Sequence, residues 1–336
     1  MNIYDISKKA GVSIATVSRV LNGSDKVSDA TRQKVLAVIA ENKYTPNAFA
    51  RSLGLNSMST VGILCSDSSD VYQAQAIYYL ERELRNNSYA SMLCCTGHQL
   101  QEKQKYLQLL LSRNVDAVIF IGSHFIEESS EKNSYILETA KKIPVFILNG
   151  SLEGNNIYSI LCDDYMASKE ITDFIFSTGS TLPIYLYRSL NYSGKKKVGG
   201  FIKSCENHNI SEISSHIFHC PNGLENASSI LEKLQTQNFF FDAIITADDE
   251  IAAGAVKYAL HNHIKIPDTL QVTGYNNSIL STCSTPEITT IDNRVEFMCV
   301  TTVSLMMQVF QGRSLPSKTM FSGSIIHHNT TKFPIQ

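Results

Sequence analysis

From residue 59 onward, short apolar runs recur with helical stretches between them. The runs fall at 61–65, 90–95, 117–121, 145–148, 184–187, 243–246 and 272–275. Runs this short and continuously apolar suit strands buried on both faces, as in a parallel sheet. Helical patterns lie between them, for example at 74–86, 103–112, 166–176, 226–235 and 250–261. Strand alternating with helix predicts open parallel sheets with helices on both faces. The stretch 59–336 is long enough for two such sheets. Ligands then bind at the carboxyl ends of the strands, in the cleft between lobes.

Charge separates the first 57 residues from the rest. They carry Lys8, Lys9, Arg19, Lys26, Arg32, Lys34, Lys43 and Arg51 against Asp5, Asp25, Asp29 and Glu41, or +4. The whole chain has 29 basic and 31 acidic residues, so the remainder holds 21 and 27, or −6. A small basic head on an acidic body points to a polyanion as partner of the head.

The head reads as three short helices. Asn2 caps a first helix over 3–10, with Asp5 in its first turn, and Gly11 ends it. Ser13 caps a second over 14–21, and a third runs from after Ser28 to about Asn42. Two helices joined by a short turn containing glycine form a helix-turn-helix. On a wheel of 100° per residue, Ile14, Ala15, Ser18, Arg19 and Asn22 share one arc, while Val17, Val20 and Leu21 seat the helix from the other side. The outward arc has no acid and suits the major groove. Arg19 can fork onto guanine, Ile14 and Ala15 can touch thymine methyls, and Ser18 lies among them. Hydroxyls on Ser13, Thr16 and Ser18 can reach phosphates, as can the cap amides.

These residues resemble a known family. Tyr4-Asp5-Ile6-Ser7-Lys8-Lys9-Ala10-Gly11-Val12-Ser13, followed by Ala15-Thr16-Val17-Ser18-Arg19-Val20-Leu21-Asn22-Gly23, is similar to the DNA-binding head of LacI/GalR-family regulators. So are Val27-Ser28, Thr31-Arg32 and Tyr44-Thr45-Pro46-Asn47-Ala48. The resemblance implies base contacts from Ile14, Ala15, Ser18 and Arg19. It implies phosphate contacts from Ser13, Thr16, Asn22, Thr31, Tyr44 and Asn47. Pro46 suits a helix start, and 47–53 allows about two turns ending at Gly54, too few to hold together alone in water. In the family this piece is a hinge helix that orders when two subunits meet on DNA. Leu53, with Ala50 on the same face, takes the position of the leucine that wedges into the minor groove.

Landmarks in the body also resemble the family. They are Asp248-Asp249-Glu250-Ile251-Ala252-Ala253-Gly254, Gly274-Tyr275-Asn276-Asn277, Pro286 with Thr289-Thr290-Ile291, and Lys197-Val198-Gly199-Gly200-Phe201. They imply an effector site built from Tyr72, Asn149, Ser193, Lys197, Asp248 and Asn276. The departures bear on the effector. Lys197 replaces an arginine, so a point charge stands in for a planar fork. Asn276 stands where an aspartate often accepts sugar hydroxyls, and the chain has no tryptophan, so these departures give a neutral hexose little support. Asp70-Val71-Tyr72-Gln73 replaces N-P-F-F, with Tyr72 still offering an aromatic face. Lys195, Lys196 and Lys197 near a helix start are either a phosphate or carboxylate site or a solvated charge run.

Other chemistry is not indicated. The eight cysteines include no C-x-x-C pair, and the His216-x-x-His219 spacing on a strand sends the rings to opposite faces. No catalytic residue, metal or cofactor is expected. No run reaches about 18 apolar residues, and the N-terminus is no signal peptide, so neither a membrane nor export is expected and the cytoplasm is the default.

The expected fold class is α/β, an all-α helix-turn-helix head on a two-lobed body like a periplasmic binding protein. The head spans 1–45, the hinge and linker 46–58, and the effector and dimerisation domain 59–336. Its first lobe takes about 59–160 and 292–321, its second about 161–291 and 322–336. The expected function is sequence-specific regulation of transcription, as a repressor. A homodimer would bind a pseudo-palindromic double-stranded DNA operator under control of a sugar or an anionic, phosphorylated metabolite. Two rivals stay open: a body that docks a protein co-regulator, or a solute-binding protein or sugar-handling enzyme that shares the fold.

Overall fold

The computed structural model describes residues 2–21, 24–42, 57–221 and 223–334. In the head, α1 (Ile3–Ala10) starts at Asn2, whose side chain accepts from the Tyr4 and Asp5 amides while Asp5 bonds back to the Asn2 amide. Gly11 ends it with φ 62°, left-handed backbone that glycine adopts without strain. Next come α2 (Ile14–Leu21) and α3 (Asp29–Glu41). Ile6, Ala10, Val17, Val20 and Val35 form the shared core.

In the body, β1 (Thr60–Cys65), β2 (Ala90–Cys95), β3 (Ala117–Ile121), β4 (Val145–Leu148), β5 (Ile157–Cys162) and β11 (Lys318–Phe321) form one sheet, in the order β11-β5-β4-β3-β1-β2. Around it pack α4 (Val71–Asn86), α5 (Leu100–Ser112), α6 (Ser134–Ala140) and α12 (Val295–Phe310). The second sheet has β6 (Pro183–Tyr187), β7 (Ile217–His219), β8 (Ala243–Thr246), β9 (Gln271–Tyr275), β10 (Thr289–Asp292) and β12 (Ser324–Ile326), in the order β12-β10-β9-β8-β6-β7. Its helices are α7 (Asp164–Ser177), α8 (Tyr192–Asn207), α9 (Gly223–Thr236), α10 (Asp249–His261) and the short α11 (Ile279–Cys283).

The core follows the pattern of the runs. Every residue of β3, β4 and β8 is buried, as expected of strands covered on both faces. In α4, Ala76, Leu80 and Leu84 line one face at four-residue spacing. Gly200 in α8 brings that helix against α7, because a Cβ there would lie 2.2 Å from the Tyr165 carbonyl oxygen.

The chain passes between the sheets after β5, after β10 and between β11 and β12. One departure from all-parallel sheets arises at the last passage. β12 pairs antiparallel with β10 because it enters the second sheet from the cleft side and so runs away from it. The remaining pairs are parallel.

Candidate DNA-reading helix and interlobe cleft

Ser13 caps α2, its Oγ accepting from the Thr16 amide at 3.1 Å and sharing a 2.9 Å hydrogen bond with the Thr16 hydroxyl. Val17 and Val20 are buried, which fixes the rotation of the helix. Ile14, Ala15 and Arg19 are exposed and Ser18 is half-buried. The expected base-reading residues therefore share the outward face, and among the described residues of α2 that face carries no carboxylate. Thr31 sits at the start of α3, its hydroxyl 2.9 Å from the Ser28 hydroxyl. The expected contacts from Asn22, Tyr44 and Asn47 and the wedge of Ala50 and Leu53 lie outside the described residues.

In the body, the residues just past one strand after another converge on a cleft of about 660 Å³. Asp67 comes after β1, His98 after β2, His124 after β3 and Asn149 after β4. From the other lobe, Arg188 comes after β6, Asp248 after β8 and Asn276 after β9. This is the strand-end crevice of an α/β fold, within the size range of small-molecule sites. All six expected effector residues line it: Tyr72, Asn149, Ser193, Lys197, Asp248 and Asn276.

Several of these are already engaged. Lys197 is buried, donates to the Ala247 carbonyl at 2.8 Å, and sits 3.6 Å from the Tyr275 ring centre. Lys195 pairs with Glu128, and Lys196 lies 5.9 Å from the Tyr192 ring centre. The three lysines thus form no single anion cradle. Asn276, at φ 101°, accepts on its side-chain oxygen from Asn293 Nδ2 at 2.8 Å. Asp248 caps α10 by accepting from the Ile251 amide at 2.9 Å.

Ser193 ties the lobes together. Its amide donates to Ser123 Oγ at 3.2 Å, and its hydroxyl donates to Asp164 at 2.5 Å. That same oxygen accepts from Asn149 Nδ2 at 3.3 Å. Ser123 and Asn149 belong to the first lobe; Ser193 and Asp164 belong to the second. Tyr275 also donates to Asp164, at 2.6 Å. Burial pushes the pKa of Asp164 up, opposed by Lys197 and by these two donors.

Three buried polar atoms in the cleft walls have no protein partner: the Tyr72 hydroxyl, Asn149 Oδ1 and His124 Nε2. Burial, with smaller contributions from His98 and Lys103, holds the His124 pKa down at about 4, so its imidazole is neutral at pH 7. Around them, Asp67, Asp70, Asp248 and Glu250 outnumber Arg188 and Lys197 in the lining.

Sequence reasoning does not single out Arg188 or His124. The signal is nonetheless present, since each stands one to three residues past an apolar strand, where α/β sheets place ligand contacts. Arg188 brings a guanidinium to the cleft from the end of β6, whereas Lys197 in α8 brings an ammonium. His216 and His219 bond different carbonyls, those of Pro183 and Arg188, each at 3.0 Å. Among the described residues no cluster of His, Cys, Asp or Glu is placed to hold a metal, and no helix is long and apolar enough to cross a membrane.

A head that turns an acid-free helix outward, carried by a two-lobed body with a cleft at its strand ends, defines a DNA-binding transcriptional regulator of the helix-turn-helix class. Residues 2–47 match the pattern of bacterial regulatory proteins of the lacI family, and residues 173–328 match a periplasmic binding protein-like domain. An HTH-type transcriptional regulator of Lachnoclostridium phytofermentans is 47% identical over 99% of this chain and 100% of its own. Catabolite control protein A of Priestia megaterium is 29% identical over 87% of each chain. The fold matches the lac repressor dimer bound to operator and the anti-inducer ONPF, with a TM-score of 0.88, 21% identity, and 98% and 99% of the two chains covered. The chain belongs to the lacI family of bacterial regulatory proteins.

Proposed function

We propose that this regulator is a repressor that acts in the cytoplasm as a homodimer on a pseudo-palindromic operator, with a neutral, polyhydroxylated small molecule as effector. The effector class rests on one observation. Tyr72, Asn149 and His124 contribute uncharged polar side chains, each with a buried atom that has no protein partner, to the walls of a cleft whose lining carries more acids than bases. Hydroxyl groups can both donate to and accept from uncharged polar walls, whereas a phosphate or carboxylate would meet the excess acid.

Dimerisation is supported by symmetry and by surface. One head contacts few bases, and two-fold pairing doubles the readout. On the first lobe, Tyr78 of α4 and Phe297 and Val300 of α12 are exposed on helices that pack against each other, an apolar face suited to a second copy. Arg19 reads a base in each half-site. Leu53, outside the described residues, supplies the minor-groove wedge that the resemblance implies.

The test is enrichment of genomic DNA fragments by the full-length protein at one stated salt concentration. A panel of neutral sugars and their phosphates is then screened for thermal shift and for release of the recovered fragment. Recovery of a pseudo-palindrome, with a neutral sugar moving both readouts, supports the reading. A shift from phosphorylated ligands alone refutes the effector class, and no sequence preference with or without ligand refutes the operator.

A further inference from the structure

Two thiols stand against each other just behind the first lobe's wall of the cleft. Cys65 ends β1 and Cys95 ends β2, and the parallel register pairs them directly. Their Sγ atoms are 3.4 Å apart. Adjacent strands lie about 4.8 Å apart, inside the Cα spacing of about 4.4–6.8 Å that a disulfide spans. Cys65 is buried and Cys95 is exposed, so a small reagent reaches one member of the pair. Cys94, the intervening neighbour on β2, turns to the opposite face and into the other core cluster.

Two short backbone segments connect the pair to the cleft. Cys65 leads into Ser66 and Asp67, and Cys95 into Thr96, Gly97 and His98. Asp67 and His98 both line the cleft. The two segments are bonded together, Thr96 N to Cys65 O at 2.9 Å and Gly97 N to Ser66 O at 3.0 Å. Ser66 is held in turn by Gln73, which accepts from its amide at 2.8 Å. Closing the sulfur separation from 3.4 Å to about 2.0 Å, with the dihedral a disulfide requires, replaces a loose contact by a bond between the two strand ends that lead directly into these cleft segments.

We propose that Cys65 and Cys95 are an oxidation-sensitive dithiol that closes to an intrachain disulfide and reshapes the first-lobe wall of the cleft. Its regulatory meaning rests on the function proposed above; its chemistry rests on the thiol pair alone. The oxidant is a hydroperoxide. Burial, with Cys95 alongside, pushes the Cys65 pKa up to about 12, so Cys65 stays a thiol and the exposed Cys95 reacts first. The Cys95 sulfur attacks the outer peroxide oxygen, an S–O bond forms, the O–O bond breaks, and the alcohol (water, from hydrogen peroxide) leaves with the thiol proton. Cys65 then attacks the Cys95 sulfenic acid. An S–S bond forms, the S–O bond breaks, and hydroxide departs with the Cys65 proton as water. Two electrons pass from the thiols to the peroxide.

The test uses the reduced full-length protein and limiting hydrogen peroxide. Alkylation with intact-mass and peptide analysis counts and locates the thiols, and hydrogen exchange tracks peptides covering 66–73 and 96–98. The expected result is loss of two of the eight thiols, a crosslink between the peptides holding Cys65 and Cys95, and a several-fold change of exchange in both cleft segments, reversed by dithiothreitol. Cys95→Ser abolishes all three, and Cys65→Ser leaves a sulfenic acid on Cys95 that dimedone traps. Eight surviving thiols, a bond from Cys95 to a second copy, or a crosslink without altered exchange would each overturn the proposal. These readouts need neither operator nor effector, so failure of the regulatory reading is seen separately, as absent DNA binding by the reduced protein.

Discussion

Arg188 holds Asp248 with two hydrogen bonds on the second-lobe wall of the cleft, Nε to Oδ2 at 2.7 Å and Nη2 to Oδ1 at 3.2 Å. The same guanidinium donates to Glu250 at 2.7 Å. A fork that is shared between two carboxylates is not free to clamp an anionic ligand, and the planar geometry explains why a lysine would not replace it.

This pair is expected to matter for stability as a unit. Arg188→Ala strands two acids in a half-buried site and should cost about 1–2 kcal/mol, reduced from the fully buried case because the arginine is partly solvated. Asp248→Asn should cost a similar amount, and the double variant less than the sum. Denaturant unfolding of the three variants forms the cycle. Additive losses would mean that the bond is not made in solution.

Whether a feature is legible in the sequence depends on whether it is local. β3, with its run Ala117-Val118-Ile119-Phe120-Ile121, is visible at sight because all five residues are buried. β5 is not among the runs read from the sequence, since Tyr158 and Ser159 interrupt its apolar pattern although Ser159 is buried. β11 and β12 are short, partly exposed edge strands with little apolar signal. α12 escapes a periodicity reading because Phe297 and Val300 make its outer face apolar too, which blurs the helical period. The head is legible to the residue because caps, glycine turn and recognition face all lie within a few positions. The cleft is legible only where the family resemblance supplies positions. The Arg188 fork and the Cys65–Cys95 contact come from strand order, which brings together residues far apart in the chain.

Ser193 is expected to act as a clasp between lobes. Ser193→Ala leaves Asp164 short of a donor and Asn149 Nδ2 without its acceptor, for about 1–3 kcal/mol of destabilisation. Because the Asn149 bond crosses between the lobes, the variant should also sample wider lobe separation, seen as faster hydrogen exchange in 122–124. Stability within the range of a surface substitution, with unchanged exchange there, would remove the clasp from the account.

His124 sets a pH signature. Its pKa is about 4 in the folded protein against an ordinary 6.5, so between those values the unfolded chain binds more protons than the folded one. The contribution is complete above pH 6.5 and is lost as pH falls through 6.5 toward 4, by on the order of 3 kcal/mol. Asp249 works the other way. Burial pushes it up to about 6, so it adds stability as pH falls below that value. That term is common to wild type and His124→Gln and cancels in their difference. The stability of wild type relative to His124→Gln should therefore fall as pH is lowered from 7 to 4. Denaturation at a series of pH values measures it, and a constant difference would show that His124 is not buried neutral.

Arg19 separates base reading from phosphate binding. It lies on the exposed face of α2, one turn past Ala15 and beside Ser18, while the buried Val17 and Val20 lock the helix rotation that presents it. A guanidinium on a guanine edge discriminates by about 1–3 kcal/mol, whereas one on a phosphate adds affinity for every sequence alike. Arg19→Ala should thus relax preference at one base pair in each half-site and leave the slope of affinity against salt nearly unchanged. Binding to the preferred operator and to single-base variants of it, at two salt concentrations, distinguishes the cases. A uniform loss across all sequences, together with a shallower salt slope, would assign Arg19 to the backbone and leave Ile14, Ala15 and Ser18 to carry the sequence preference.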